Sequence, residues 1–428
     1  KGTTMADRTM LIQVSPGANS NKFYEVTLGD DDTVTARWGR VGATGQSKKY
    51  GTGRHVMESL VAKKRAKGYE LVDVVDGSSS GSNRSRLAEA ARVVAEPDFR
   101  SDSTVTKLIE KLSAVNAHSI ALASGGKITV EDGQVRTPLG VLSRHAISRA
   151  RAVLSDLAGD PTNPDLLASY LKIVPQDVGR RAGWENSFLV KTNAVRDQFS
   201  FLDQLEQSVD FAVAQSDVET GDDLDESAFR MRLAPNEDPD VLRSVREFFE
   251  RSKNASHVSS GYKVSRVFDL RDTRRADETS ARMEEVGNVR RMWHGTRASN
   301  VLSILAQGMV VPSARASHTT GRMFGDGIYL SEQSTKSLNY SVGFWGGGKY
   351  DDTCYMLLTE AATGTQYRPK GHYGNDWSGI HSGKITDPKY GPYNSVYVKA
   401  GTAGVRNHEC VIWDVDQIRL QHLVEFTR

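Results

Sequence analysis

The run Gly77-Ser78-Ser79-Ser80-Gly81-Ser82-Asn83 divides this chain, because hydrophobic periodicity changes class across it. Gly/Ser-rich composition behaves as flexible coil, so it predicts a linker. Before it, alternation predicts a strand over 23–28, a turn at 29–32 and a second strand over 33–38. Residues 55–65 predict a helix ended by Gly68. After the linker, apolar residues recur at helical spacing: Val105, Leu108, Ile109 and Leu112, then Leu139, Leu142, Ile147, Val153, Leu154 and Leu157, then Phe199, Leu202, Leu205, Val209 and Phe211. Asp160-Pro161-Thr162-Asn163-Pro164 separates two of these helices. The acidic stretch 216–223 predicts a second linker. From about Glu226 the chain turns Gly- and Tyr-rich, with strand signals at 355–358 and 410–413. Short strands between long loops predict a compact β-rich domain whose loops carry the site.

Totals agree with this division. A chain of 428 residues is expected to hold two or three domains. Hydrophobic residues at 38% and charged residues at 25% match soluble globular chains. No apolar stretch approaches the roughly 20 residues of a membrane span, so no membrane partner is expected. The start has no charged-then-apolar signal pattern, which disfavours secretion. Cys354 and Cys410 are too few for a multi-cysteine zinc module, and they fit a reducing, intracellular setting. The net charge of +2 identifies no partner, so charge is informative only where it clusters.

Four runs carry chemistry: Trp293-His294-Gly295-Thr296-Arg297 with Asn300; Gly321-Arg322-Met323-Phe324-Gly325-Asp326-Gly327-Ile328-Tyr329-Leu330; Lys336-Ser337-Leu338-Asn339-Tyr340; and Asn407-His408-Glu409-Cys410-Val411-Ile412-Trp413-Asp414. Each alone is weak. Gly325-Asp326-Gly327 lacks a third glycine and opens no helix, which argues against a Rossmann fold.

Together and in this order, the four runs resemble the diphtheria-toxin-like ADP-ribosyltransferase fold of the poly(ADP-ribose) polymerases. The family's His-Tyr-Glu triad falls on His294, Tyr329 and Glu409, and the resemblance covers about 226–428. It implies NAD⁺ as a substrate and no metal. Tyr329 and Tyr340 would sandwich the cationic nicotinamide by stacking and cation–π attraction. The Gly295 backbone and the Ser337 hydroxyl would hold its carboxamide. His294 would bond a ribose hydroxyl, with Thr296 and Asn300 beside it. Glu409 would stabilise positive charge developing on the ribose and orient the acceptor. Lys336 matches a family lysine near the site; a solvated surface lysine is the rival reading. Two departures stand out. Gln307-Gly308 is followed by Met309-Val310-Val311, so the arginine expected there is missing or supplied by Arg315, and Asp326 replaces a common lysine.

Upstream, Arg37-Trp38-Gly39-Arg40-Val41-Gly42 looks like the WGR domain. Between Arg37 and Gly68 the basic residues include Lys48, Lys49 and Arg54, and Glu58 is the one acid. A basic cluster with an aromatic is a nucleic-acid footprint. The resemblance implies that Trp38 stacks at a DNA end, with Arg37, Lys48, Lys49 and Arg54 around it, and that Arg40 touches the next domain. The middle block resembles the family's helical regulatory domain, through Thr137-Pro138-Leu139-Gly140-Val141-Leu142-Ser143 and 173–179. Asp203 would then lie on the helix bordering the NAD⁺ pocket, and Gln207 stands where a second acid is common.

The expected fold is multidomain α+β. It comprises a small β-rich WGR domain at 8–76, a linker at 77–100, an all-α helical bundle at 101–218 and a mixed β-rich transferase domain at 226–428. The expected function is DNA-break-activated synthesis of poly(ADP-ribose) on protein acceptors, itself included, with room for a partner protein that completes the site. Single transfer to protein or DNA ends, and an inactive DNA-end scaffold, are the alternatives. Residence would be nuclear in a eukaryote and cytoplasmic in a bacterium or virus.

Overall fold

A computed structural model describes residues 7–41, 43–72, 90–124, 128–131, 134–137, 140–179, 181–190, 194–216, 229–311, 324, 327–342, 351–369 and 393–428. Both predicted linker cores (77–83 and 217–223), Pro138-Leu139, Arg315 and most of the loop 321–326 lie outside these residues. The chain forms two compact units. One takes the described residues of 1–83 and 117–213, the other those of 84–116, 214–314 and 320–428.

The first unit begins with strands β1 (Asp7–Ser15), β2 (Ser20–Leu28), β3 (Thr33–Arg40) and β4 (Gln46–Thr52), then the helix Arg54–Arg65 and β5 (Glu70–Leu71). The sheet runs in the order β4-β3-β2-β1-β5. The tight turn after β2 needs Asp32 at φ 58°, a left-handed position that Asp tolerates. Because side chains alternate along a strand, the sheet has two different faces. Leu11, Tyr24, Val26, Val34 and Ala36 pack with Met57 of the helix. Met10, Ile12, Val14 and Phe23 face the other way, into a core shared with Ile147, Leu154, Leu167, Tyr170, Leu171 and Leu202. The β-rich and helical blocks of this unit are thus one hydrophobic body.

The helical block holds the helices Arg144–Leu157, Pro164–Ile173 and Ala194–Ser216. Ser143 caps the first by accepting from Ala146 N, and Asn163 caps the second ahead of Pro164. Two expectations are corrected here. The block is not all-α, because β6 (Thr129–Glu131), β7 (Gln134–Thr137) and β8 (Gly140–Val141) form a small antiparallel sheet. Nor are residues 90–100 linker: Ala90, Ala91, Val93, Val94 and Ala95 are buried. Ala95 bridges Leu233 in the second unit's own sheet, where Glu96 N donates to the Leu233 carbonyl at 2.9 Å.

That sheet has the order β11-β13-β17-β10-β9, from β9 (Met231–Pro235), β10 (Lys263–Asp272), β11 (Val289–Gly295), β13 (Thr353–Ala362) and β17 (Ile418–Thr427). A second sheet, β12-β16-β15-β14, is built from β12 (Ile328–Leu330), β14 (Gln366–Tyr367), β15 (Ser395–Val398) and β16 (Glu409–Ile412). Three strands of ten residues each are longer than the sequence suggested. The helix Pro239–Arg251, capped by Asp238 with Pro239 in its first turn, covers one face through Val245 and Phe249. Trp293 sits in that core at 0% exposure. It stacks on Phe248 with centroids 5.6 Å apart and meets Phe249 and Phe426 edge-on, each at 6.0 Å. Trp293→Ala is expected to cost about 3–5 kcal/mol, the usual range for a buried aromatic. A lowered urea midpoint for the second unit's transition is the check.

Candidate active site

A backbone bridge joins the two sheets of the second unit. Trp293 N donates to the Ser331 carbonyl at 2.8 Å, and Ser331 N returns a bond to the Trp293 carbonyl at 3.0 Å. This bridge sets His294 and Gly295, at the end of β11, beside Tyr329 on β12. His294 Nδ1 lies 3.0 Å from the Tyr329 carbonyl oxygen. A carbonyl can only accept, so Nδ1 carries the proton. Burial, with the Lys336 charge adding to it, pushes the imidazole down to about 4. The ring is therefore neutral near pH 7, and Nε2 presents a lone pair. Such a nitrogen accepts a hydroxyl proton.

Tyr329 is opposite Val411 in the β12–β16 pair, and Glu409 is two residues along β16. Period-two alternation therefore puts Tyr329 and Glu409 on the same face. The Tyr329 phenol oxygen accepts from Phe324 N at 2.9 Å, which fixes the ring.

The helix Ser334–Ser341 supplies the other wall. It lies so close to β11 that a Cβ on Gly295 would stand 1.7 Å from the Ser337 carbonyl oxygen. Glycine is required there by close approach. Ser337 Oγ donates to the Trp293 carbonyl at 3.1 Å, so it must turn before it can donate to a ligand. Lys336 is 6% exposed, with Nζ 3.5 Å from Glu409 Oε1 and 5.3 Å from the Tyr340 ring centroid. The solvated-lysine reading is thereby corrected: Lys336 is a buried counter-charge to Glu409. Tyr340 keeps a rim in solvent, and burial first, then the Glu409 charge, pushes its phenol up to about 12.

The structure thus brings together His294, Gly295, Tyr329, Lys336, Ser337, Tyr340 and Glu409. Thr296 and Asn300 bond each other at 3.1 Å just beyond β11. Arg230, just ahead of β9 and paired with Asp272, donates to the Gln307 carbonyl at 3.2 Å. Sequence reasoning missed Ser331, and nothing in its neighbours marks it as the seam between sheets. No group of three or more His, Cys, Asp or Glu able to hold a metal occurs among the described residues.

On the β1–β5 sheet, Trp38 stacks on Tyr24 at 6.0 Å and meets Tyr50 edge-on at 6.5 Å. Lys48 Nζ lies 5.5 Å over Tyr50, and Lys64 Nζ lies 4.1 Å over Tyr24. This face is aromatic and cationic, and Arg54 opens the helix that packs on it. Gly39 is needed because a Cβ would be 2.9 Å from Gly45 Cα. Arg37 is not part of this face. It bonds Glu25 at 2.6 Å and the Thr44 carbonyl at 3.1 Å on the opposite side, and Lys49 shares that side through its pairing with Thr35. Arg40 donates to the Gly179 carbonyl of the helical block at 2.9 and 2.6 Å. Asp203 and Glu206 both bind Arg151 at 2.7 Å, and desolvation pushes the Asp203 carboxyl up.

Comparison with known proteins agrees with this geometry. Residues 242–428 match the poly(ADP-ribose) polymerase catalytic domain, and residues 7–74 match the WGR domain. Poly [ADP-ribose] polymerase 2 of Zea mays is 23% identical over 99% of this chain and 70% of its own length. Poly [ADP-ribose] polymerase 1 of Gallus gallus is 25% identical over 99% of this chain, which spans 45% of that protein. A poly [ADP-ribose] polymerase-like protein of Invertebrate iridescent virus 6 is 33% identical over 32% of this chain and 69% of its own length. Fold, site and matches define an NAD⁺-consuming ADP-ribosyltransferase. Within that class, the chain belongs to the poly(ADP-ribose) polymerase family. No helix among the described residues is long and apolar enough to cross a membrane.

Two outcomes are expected. Gly295→Ala forces the helix Ser334–Ser341 away from β11, so both NAD⁺ turnover and the melting temperature should fall. The His294 pKa is lowered from 6.5 to about 4 on folding. Its neutral form therefore contributes stability above the unfolded value, and that contribution is lost as pH falls toward the folded one. His294→Gln should then lose less stability than the unaltered chain between pH 6.5 and 4, read as urea midpoints against pH.

Proposed function

We propose that this chain is a poly(ADP-ribose) polymerase activated by DNA breaks, acting on protein acceptors that include itself. The observation that carries this reading is Glu409, held 3.5 Å from the buried Lys336 beside Tyr340 and on the same face as Tyr329. The nicotinamide ring of NAD⁺ lies between Tyr329 and Tyr340, with its carboxamide on the Gly295 backbone and Ser337. His294 Nε2 accepts from a ribose hydroxyl, with Thr296 and Asn300 nearby. Glu409 accepts from the ribose 2′-hydroxyl. As the glycosidic bond breaks, nicotinamide leaves with the bonding electrons and becomes neutral. The positive charge then shifts to the ribose, where the carboxylate stabilises it. The acceptor hydroxyl attacks that carbon and releases its proton to solvent. Glu409 also orients a ribose hydroxyl of the growing chain, which favours polymer over single transfer.

DNA ends bind the Trp38–Tyr50 face, with Lys48 and Arg54 toward phosphates. Stacking there reads a break, not a base sequence. Arg37 and Lys49 support this contact from the far side of the sheet. Arg40 conveys binding to the helical block through Gly179, and that block, with Asp203 on its long helix, restrains NAD⁺ entry until DNA arrives. A partner protein that adds to the acceptor side fits the same scheme. In a eukaryote the enzyme would work in the nucleus.

Incorporation of labelled NAD⁺, with and without short nicked or blunt DNA, tests this. High-molecular-weight product should appear with DNA, and Glu409→Gln should cut it at least a hundredfold. Incorporation indifferent to DNA would overturn the regulatory half. A single-unit product would overturn polymer synthesis, and no incorporation would overturn the whole reading.

A further inference from the structure

The strand that bears Glu409 joins its sheet at Glu409 itself. The pairing of β16 with β15 ends at Glu409 and Val398, and its pairing with β12 ends one residue sooner, at Cys410 and Leu330. His408 therefore lies beyond both ladders, and side chains hold it instead. Ser331 Oγ donates to the His408 carbonyl at 2.7 Å and accepts from Gln333 N at 3.1 Å. The His408 ring meets Tyr397 of β15, with ring centroids 6.0 Å apart and Nδ1 3.2 Å from the Tyr397 hydroxyl oxygen. That hydroxyl donates to Glu332 Oε2 at 3.3 Å, and Glu332 Oε1 lies 2.9 Å from Nη2 of Arg290 on β11.

Register explains why these groups meet. Tyr397 is opposite Cys410, so His408 is its diagonal neighbour on the same face. Ser331 and Glu332 continue β12 past its last pair, which brings them alongside Glu409 and His408. Alternation points the His408 ring and the Glu409 carboxylate to opposite faces. Counting protons fixes the direction of the ring contact. A hydroxyl carries one hydrogen, and a carboxylate paired with arginine can only accept. The Tyr397 hydrogen goes to Glu332, so His408 Nδ1 carries the proton that the Tyr397 oxygen accepts. Both hydroxyls thus grip one residue, Ser331 by its carbonyl and Tyr397 by its ring. That carbonyl shares a rigid peptide plane with the Glu409 nitrogen.

We infer that Ser331 and Tyr397 are positioning residues for Glu409. Through His408 they set the peptide plane that leads into Glu409, and with it the direction of the carboxylate. Arg290 lies four residues ahead of His294 on β11 and anchors the outer end of the chain of contacts. The strand of the histidine and the strand of the glutamate are thereby referenced to each other. Both hydroxyls are engaged within the protein, so they act through the backbone of Glu409. This inference rests on the role given to Glu409 above.

The test is nicotinamide release from NAD⁺ by the full chain with short DNA present. Ser331→Ala and Tyr397→Phe each remove one oxygen and keep the packing. Each should lower kcat about tenfold while KM for NAD⁺ stays within about twofold, because Glu409 acts on charge that develops only as the bond breaks. His408→Asn, whose amide nitrogen can stand in for Nδ1, should keep kcat within about twofold of the unaltered chain, and His408→Leu should reproduce the Tyr397→Phe loss. The Tyr397→Phe, His408→Leu pair should lose no more than either alone, because both remove the same contact. Equal impairment by Asn and Leu, fully multiplicative losses in the pair, a raised KM with kcat unchanged, or a lower melting temperature with kcat intact would overturn the inference. Release at the unaltered rate by Ser331→Ala or Tyr397→Phe, with Glu409→Gln impaired, would sink this inference alone. No release by the unaltered chain, or no loss in Glu409→Gln, would sink the reading of Glu409 and this inference with it.

Discussion

The active site depends on one pair of backbone hydrogen bonds. Trp293 and Ser331 exchange N–H···O bonds, and among the described residues this exchange is the backbone bridge that joins the five-stranded sheet to the four-stranded one. On either side of it lie the residues that matter: His294 and Gly295 one and two residues along β11, and Tyr329 two residues back along β12. Trp293 cannot shift to accommodate a looser seam, because its ring is locked among Phe248, Phe249 and Phe426. The hydrophobic core therefore sets the geometry of a polar site.

Electrostatics then refine what packing sets. Lys336 is buried beside Glu409, and a buried cation is tolerated only when paired. The same charge helps keep His294 neutral. One lysine thus touches two members of the triad, lying 3.5 Å from the Glu409 carboxylate and weighing against protonation of His294. Tyr340 feels the other side of the pair, its phenol pushed up partly by Glu409. The pocket brings the Lys336–Glu409 pair together with three rings, those of His294, Tyr329 and Tyr340.

Much of this was legible in the sequence because close approach leaves few residue choices. Gly295 and Gly39 each stand where a Cβ would collide with backbone, so the short runs around them survive as readable motifs. The helix Arg54–Arg65 and its stop at Gly68, with φ 82°, followed from local chemistry. Strands β6 to β8 were invisible because two to four residues carry no usable period. The helix Pro239–Arg251 was missed although Asp238 and Pro239 form a readable start. Burial of Lys336 was not legible, because it depends on Glu409 some seventy positions away. Arg37 and Trp38 could have been assigned to opposite faces by alternation alone; reading the basic residues as one cluster hid that.

The strand-like contact of Ala95 with Leu233 has a consequence for how the protein behaves in a crowded solution. A sheet edge with bare N–H and C=O groups is a template for another chain. In the large sheet of the second unit, β11 passes its ladder on to β12 through Ser331, and β9 is met by Ala95 and Glu96. Glu96 also clamps Arg271 of β10 across that edge. Ala95 and Glu96 therefore shield the β9 edge, and a fragment that began at 229 would carry the whole catalytic constellation with that edge unshielded.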